Sequence, residues 1–222
     1  MSRFVELSHV ITAGMVTYPG LPGPEVTPHM TRESSRERYA PGTEFAIDVV
    51  HMVGNTGTYL DSPFHRYADG VDLAELPLER LADLPAVVVR TAGSGRRAVG
   101  VDDLAEHDVA GCAVLLHTGG DVAFGTPAYA VDAPFLGGEG AQWLVDRGAA
   151  LVGIDAVNVD EMVERGERPA HTLLLGAGIP IVEHLTGLAG LPSTGARFTA
   201  APPRVHDFDT FPVRAFASVP AP

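Results

Sequence analysis

Short apolar runs alternate with amphipathic segments through the middle of the chain, and this alternation restricts the possible folds more than any other feature. The runs "PAVVVRT", "CAVLLHT", "LVGID" and "IPIVEHL" predict four buried strands. The segments "VDDLAEHD", "GEGAQWLVDRGAA" and "HTLLLGAG" have the spacing of helices. Strand and helix in turn are typical of an α/β fold. No repeat or linker interrupts the pattern, so we expect a single domain over residues 1–222.

The two ends of the chain predict further strands. "FVELSHVI" and "EFAIDVVHMV" alternate apolar with polar residues, and the tail from Ser193 onward is rich in Pro, Phe and Val. Between them, "DLAELPLERLADLP" has the apolar spacing of one or two short helices broken by Pro77 and Pro85.

Composition excludes several classes of partner. The formal charge of −13 argues against nucleic acid and anionic membranes, because both require a basic face. No apolar stretch approaches the roughly 20 residues that cross a bilayer, and the first residues lack the pattern of a signal peptide. Cys112 is the single cysteine, which rules out an internal disulfide. We therefore expect a cytoplasmic protein with a small-molecule substrate.

The stretch "NTGTYLDSPFHRY" contains the first group of chemically active residues. It brings Asp61 and His65 within five residues, and Gly57 and Pro63 argue against a helix, so these side chains are expected in a loop or bulge. Two interpretations stand side by side. The stretch is a metal or acid–base site, or Asp61 caps a turn and His65 lies on the surface.

A second group lies in "GIDAVNVD" and the following "HTLLLGAGIPIVEHL". Glu183 falls inside an apolar run, where a lone carboxylate is costly to bury unless a metal, an Arg or a catalytic partner pairs with it. Together, Asp61, His171 and Glu183 form a set that suits Zn²⁺ or Mn²⁺ with open positions for water and substrate. His65 would then be the free base. Spacing alone leaves open whether these residues meet.

At this point the chain resembles the cyclase-type metal-dependent hydrolases, the family of bacterial kynurenine formamidase and isatin hydrolase. The family pattern H-x-G-T-H-x-D-x-P-x-H corresponds to N-T-G-T-Y-L-D-S-P-F-H in this chain. "ELSHVITAGMVTYPG", "LLHTGGD", "GIDAVNVD" and "HTLLLGAGIPIVEHL" resemble further family segments, so the resemblance covers nearly the whole chain. It implies a swivelling β/β/α fold, a homodimer or homotetramer, and hydrolysis of small amides or lactams.

The resemblance also assigns roles to individual residues. Asp61 matches a metal-bridging carboxylate, and His65 matches the catalytic histidine. His171 and Glu183 match the late metal ligands, and Tyr18 falls near an aromatic wall of the pocket.

Asn55 and Tyr59 depart from the family pattern, because they replace two metal-binding histidines. An amide oxygen is a weak ligand, and a phenol with a pKa near about 10 must lose a proton to bind well. We therefore expect one divalent metal or none, with a tilt toward Mn²⁺ over Zn²⁺. Alternatively, Asn55 hydrogen-bonds the substrate and Tyr59 acts with His65 as acid and base, or the two residues are a purely structural pair.

Two other histidines bear on the site. His117 ends a predicted strand where a pocket would open, so we expect it to contact the substrate. His184 adjoins Glu183 and is expected to point to the opposite face of a strand. Three functions remain open: a metal-dependent amide hydrolase, a metal-free cyclase, lyase or dehydratase that uses His65 and Tyr59, and a catalytically silent small-molecule-binding protein.

Overall fold

A computed structural model describes residues 2–220 and contains thirteen strands and four α-helices. The strands are β1 (Ser2–Glu6), β2 (Glu25–Met30), β3 (Ile47–His51), β4 (Tyr59–Asp61), β5 (Leu84–Arg90), β6 (Ala98–Val99), β7 (Ala113–His117), β8 (Phe135–Leu136), β9 (Leu151–Ile154), β10 (Ile181–Glu183), β11 (Ala196–Thr199), β12 (Thr210–Pro212) and β13 (Phe216–Pro220). The helices are α1 (Arg32–Ser35), α2 (Val101–Leu104), α3 (Gly138–Asp146) and α4 (Pro169–Gly176).

Nine of the strands form one mixed sheet in the order β1-β13-β11-β5-β7-β9-β10-β4-β12. The four apolar runs predicted as buried strands form the centre of this sheet, where β5, β7, β9 and β10 pair in parallel. The flanking strands are antiparallel, and β4 lies between β10 and β12. This is the α/β architecture that the sequence predicts, with strands from both ends of the chain in one sheet.

The sheet is buried on both faces, which explains why its central strands are apolar without a break. Residues that alternate along β5 enter different cores: Val88 packs with Leu115 on one face, and Val87 packs with Val114 on the other. The second core also contains side chains from three helices: Leu104 of α2, Leu144 of α3, and Leu174 and Leu175 of α4. These contacts fix α4 against the sheet beside β10.

The segment "DLAELPLERLADLP" does not form the predicted helices. In place of one or two helices it contains a turn at Asp72 and a single 3₁₀ turn over Leu78–Arg80. Asp72 accepts hydrogen bonds from the backbone N–H groups of Ala74 and Glu75, which closes the turn. Pro77, which has no N–H to donate, lies in extended backbone and stops a helix from continuing.

Two strands stand apart from the main sheet. β2 and β3 form an antiparallel ribbon with a register shift between Pro28 and Met30. Val26, Ile47, Val49 and Val50 are about half exposed on this ribbon. Within residues 2–220, no helix has the length and apolar character needed to cross a bilayer.

Candidate active site

Strand β4 brings the first sequence motif against the second. Tyr59 lies directly opposite Glu183 in the antiparallel β4–β10 register, and its phenol donates a 2.6 Å hydrogen bond to Oε2 of Glu183. The other carboxylate oxygen of Glu183 accepts from the backbone N–H of Val159 at 2.5 Å. These two hydrogen bonds explain how the carboxylate of Glu183 can be buried inside an apolar run.

Asp61 ends β4 and is fully buried. The expectation that it lies in a loop or bulge is therefore wrong, because pairing with β10 and β12 holds this residue in a strand. Thr210, its partner across the β4–β12 pairing, donates a 2.6 Å hydrogen bond to Oδ1. Oδ2 is buried and has no hydrogen-bond partner among the described residues. An unpartnered carboxylate oxygen in the interior is unfavourable, so this atom requires a cation or a proton donor.

His171 reaches the same place from the first turn of α4. Asp160 accepts hydrogen bonds from the backbone N–H groups of Ala170 and His171, and its Oδ2 lies 2.7 Å from Nδ1 of His171. This carboxylate therefore caps the helix and orients the imidazole. Nε2 of His171 lies 3.8 Å from Oδ2 of Asp61 and 3.8 Å from Oε1 of Glu183. The predicted set of Asp61, His171 and Glu183 thus meets in space.

His65 follows β4 in a 3₁₀ turn over Pro63–His65. Its Nδ1 lies 2.8 Å from Oδ2 of Asp209 and 3.0 Å from the hydroxyl of Thr210. Burial lowers the pKa of His65, but the hydrogen bond to Asp209 and the charge of Asp61 outweigh it, so the pKa is raised overall. With Nδ1–H donated to Asp209, Nε2 remains as the free nitrogen.

A buried hydrogen-bonded chain lies behind Tyr59. His184 has Nδ1 at 2.8 Å from the phenol of Tyr129 and Nε2 at 3.2 Å from the phenol of Tyr59. Burial lowers the pKa of His184 to about 3, so its ring is neutral. Because Tyr59 already donates to Glu183, the ring must donate from Nε2 and accept at Nδ1.

The position of His184 corrects the expectation that it points away from Glu183. His184 has φ +57°, in the left-handed region, directly after β10 ends. The alternation of side chains between faces holds only inside a regular strand, so the ring turns back toward Tyr59.

The electrostatics of the site favour a bound cation. Burial raises the pKa of Glu183 to about 7, with His171 lowering it and Asp61 raising it. Burial alone would lower the pKa of His171, but Asp160, Asp61 and Glu183 raise it to about 10. The raised pKa of His171 reflects the carboxylates around it, whereas that of Glu183 reflects chiefly its burial. A divalent ion would stabilise the charged form of both carboxylates, Asp61 and Glu183.

Two separations within the donor set suit a metal. Ligand atoms about 2.1 Å from one ion lie up to about 4 Å from each other, which matches the two 3.8 Å separations. Among the described residues of this site, the group whose ligand atoms all lie within 4.8 Å of one another is Asp61, His65 and His171, so His65 is the alternative third ligand. Tyr59 does not suit this role, because burial first, and then Glu183 and Asp61, raise the pKa of its phenol well above its ordinary value.

These groups open into a cavity of about 630 Å³. Tyr18 and Asn55, the predicted substrate contacts, line it together with Tyr59, His65, His171 and Glu183. His117 does not line this cavity: it ends β7, where Arg90 lies 3.2 Å from its Nδ1. The expected substrate contact of His117 is therefore wrong for this cavity, because the pocket opens beside β4 and α4 instead.

Several site residues have no signal in the sequence. Asp209 and Thr210 reach His65 and Asp61 only because β12 pairs with β4. Tyr129 reaches His184 across 55 residues of chain. Asp160 follows a predicted strand, a usual place for polar site residues, but nothing in the spacing links it to the imidazole of His171.

Comparisons with known proteins identify relatives of this chain. The family model Cyclase ("Putative cyclase") matches residues 5–161. Kynurenine formamidase of Geobacillus thermodenitrificans is 30% identical over 218 residues, which cover 97% of each chain.

Two solved structures share the fold. An isatin hydrolase bound to the product analogue thioisatinate superposes with a TM-score of 0.85 at 21% identity, over 99% of this chain and 93% of that one. A predicted metal-dependent hydrolase from Bacillus stearothermophilus has a TM-score of 0.76 at 24% identity, over 98% of each chain. At these identities the two structures establish the fold, and the sequence matches establish the relationship. The chain therefore belongs to the cyclase family of hydrolases.

Proposed function

We propose that this protein hydrolyses a carbon–nitrogen bond in a small amide or cyclic amide, with one divalent metal ion held by Asp61, His171 and Glu183. The observation that carries the proposal is the buried, unpartnered Oδ2 of Asp61, 3.8 Å from the free nitrogen of His171. Support also comes from the relatives, which are named as a kynurenine formamidase and an isatin hydrolase.

The proposal of one ion rests on the residues that replace the family histidines. The Tyr59 phenol donates to Glu183 and receives the N–H of His184, so it holds a proton and is already engaged. Asn55 offers only an amide oxygen. Oxygen-rich ligand sets favour Mn²⁺ over softer ions, so Mn²⁺ is the proposed metal and Zn²⁺ the alternative.

His65 is proposed as the base. A divalent ion in this site would supply Lewis-acid polarisation of the amide carbonyl and a lowered pKa for the attacking water. With Nδ1 held by Asp209, Nε2 of His65 accepts the proton of the water as its oxygen attacks the carbonyl carbon. The same nitrogen returns the proton to the leaving nitrogen as the carbon–nitrogen bond breaks. Because this proposal uses Nε2 of His65 for proton transfer, it takes Glu183 as the third ligand.

We also propose a homodimer or homotetramer located in the cytoplasm. An isolated two-stranded ribbon is only marginally stable in water, yet β2 and β3 leave Val26, Ile47, Val49 and Val50 half exposed. A second copy of the chain that covers this ribbon would bury those side chains.

Metal analysis of protein purified without chelator or metal-binding tag tests the proposal. Wild type is expected to carry about one equivalent of Mn or Zn per chain, and Asp61→Asn to lose it. Asp155→Asn is the matched control, because Asp155 is also a buried carboxylate but binds the backbone N–H groups of Thr118 and Gly119. Amides and lactams are then screened with wild type and His65→Ala, with folding checked by circular dichroism.

The outcomes separate the three functions. Metal that is lost in Asp61→Asn, together with turnover lost in His65→Ala, supports the hydrolase. Turnover without metal, even after Mn²⁺ and Zn²⁺ are added, contradicts it and favours the chemistry of His65 with Tyr59. Ligand binding without turnover of any amide indicates a silent binding protein.

A further inference from the structure

Two arginines line the cavity at the candidate active site, and neither forms an ion pair in the part of the chain that the structure describes. Arg66 follows His65 directly, is exposed, and places its guanidinium 5.4 Å from the centre of the Tyr67 ring. This stacking restrains the side chain without using its N–H donors.

Arg168 is held more firmly. It precedes α4, and its Nη1 donates to the backbone carbonyls of Glu161, Gly166 and Glu167 at 3.3, 3.4 and 3.1 Å. These contacts anchor one edge of the guanidinium and leave Nε and Nη2 as further donors. Backbone carbonyl groups, and not a carboxylate, therefore hold the guanidinium of Arg168 in position.

The acidic residues of the cavity do not fully neutralise the charges of Arg66 and Arg168. Glu167 is the acidic residue at the rim, whereas Glu183 lies deeper and is engaged by Tyr59 and Val159. His65 and His171 add no negative charge. Among the described residues, five of the fifteen arginines are paired with acids, and Arg66 and Arg168 belong to the other ten. What sets these two apart is their place on the cavity, where their guanidinium groups are available to an anionic part of a ligand.

We propose that the substrate is an amide that carries a carboxylate, and that Arg66 and Arg168 bind this carboxylate. The inference rests on the proposed hydrolase function and narrows its substrate class. Guanidinium groups bind carboxylates with strong, directional hydrogen bonds, so they would select such amides over neutral ones. Tyr18, Pro19 and Leu21 line the same cavity and would contact an apolar or aromatic body between the carboxylate and the amide.

Matched substrates test this selection. The three ring isomers of N-formylaminobenzoate place a carboxylate at different distances from the formyl amide, and formanilide lacks the carboxylate. We expect at least one isomer to have a higher kcat/KM than formanilide. The ratio of these two values, isomer over formanilide, should fall about tenfold in Arg66→Gln. A ratio divides out any general effect of the substitution on turnover.

Arg147→Gln is the control for Arg66→Gln. Arg147 is exposed and stacks its guanidinium 5.2 Å from the centre of the Trp143 ring, but it does not line the cavity. This substitution removes the same charge from the same kind of contact, so the ratio should stay at the wild-type value. Arg168→Gln should also lower the ratio, and Arg168→Lys should retain part of it, with thermal unfolding used to verify the fold.

Calorimetric binding of the aminobenzoates separates this inference from the hydrolase function, since it requires no turnover. If no amide is cleaved but an aminobenzoate binds wild type and Arg147→Gln more tightly than Arg66→Gln, the carboxylate site stands and the hydrolase proposal fails. Two results would overturn the carboxylate site: a preference for formanilide over all isomers, or ratios and affinities that Arg66→Gln and Arg168→Gln leave unchanged.

Discussion

Single hydroxyl groups hold the interior of this site together, and Tyr59 is the clearest case. Its phenol satisfies two buried partners at once: it donates to Oε2 of Glu183 and accepts from Nε2 of His184. A side chain that replaces a histidine of the family pattern thus closes a polar network. The geometry favours a positioning role for Tyr59, which holds Glu183 toward His171.

Tyr59→Phe tests this role. The substitution keeps the ring but leaves a carboxylate oxygen and an imidazole N–H buried without partners, so the free energy of unfolding should fall by about 1–3 kcal/mol. Urea denaturation in the presence of a chelator measures the loss without any contribution from bound metal. Tyr129→Phe leaves only Nδ1 of His184 unpaired, and we expect a smaller loss. Equal stabilities of Tyr59→Phe and wild type would contradict the network.

Turns and caps place those functional side chains that the strands do not carry. Asp160 both caps α4 and orients His171. Asp72 has a similar double use, because its Oδ1 closes a local turn and its Oδ2 accepts the N–H of Asp207 from the tail. The adjoining bond from Leu73 N–H to the Phe208 carbonyl keeps that part of the tail beside β4. In this way a turn positions Asp209 next to His65.

The Asp72 turn should make stability depend on pH in the acid range. The hydrogen bond from Asp207, with those from Glu75 and Ala74, lowers the pKa of Asp72 below its ordinary value of 3.8. A lowered folded-state pKa stabilises the protein above the unfolded-state value of about 3.9, and the contribution is lost as pH falls through the folded-state pKa. Asp72→Asn should therefore be less stable than wild type at pH 7, and the difference should shrink toward pH 3.

Urea denaturation at pH 7, 5 and 3 measures this difference. Asp69→Asn, an exposed position three residues earlier, is the control and should follow wild type at each pH. A gap between Asp72→Asn and wild type that is constant from pH 7 to pH 3 would show that ionisation of Asp72 does not stabilise the fold.

The ribbon of β2 and β3 is the surface at which we propose that two copies of the chain associate. Val26 and Val50 are directly paired across the ribbon, and both are about half exposed. If a second copy covers them, Val50→Asp should shift the mass in solution toward that of one chain, because a buried unpaired charge opposes association. Light scattering after size exclusion measures the mass. Val122→Asp is the control, since Val122 is 88% exposed. A wild type that is monomeric at micromolar concentration would refute the interface.

The sequence was sufficient for the features that depend on local patterns. The four central strands and the helices between them follow from apolar periodicity, because runs of that kind must be buried wherever they fall. It also indicated Glu183, since a carboxylate inside an apolar run needs a partner. Asp61, His65 and His171 were assigned with it through the resemblance to the family pattern.

Only the tertiary structure decided how these residues meet. The pairing of β4 with β10 and β12 joins segments more than a hundred residues apart, and no local pattern specifies such a register. The left-handed backbone at His184 turned its ring toward Tyr59, against the alternation of a strand. Arg66 and Arg168 look like ordinary surface arginines until folding lines one cavity with both, because a cavity is a property of packed elements and not of sequence neighbours.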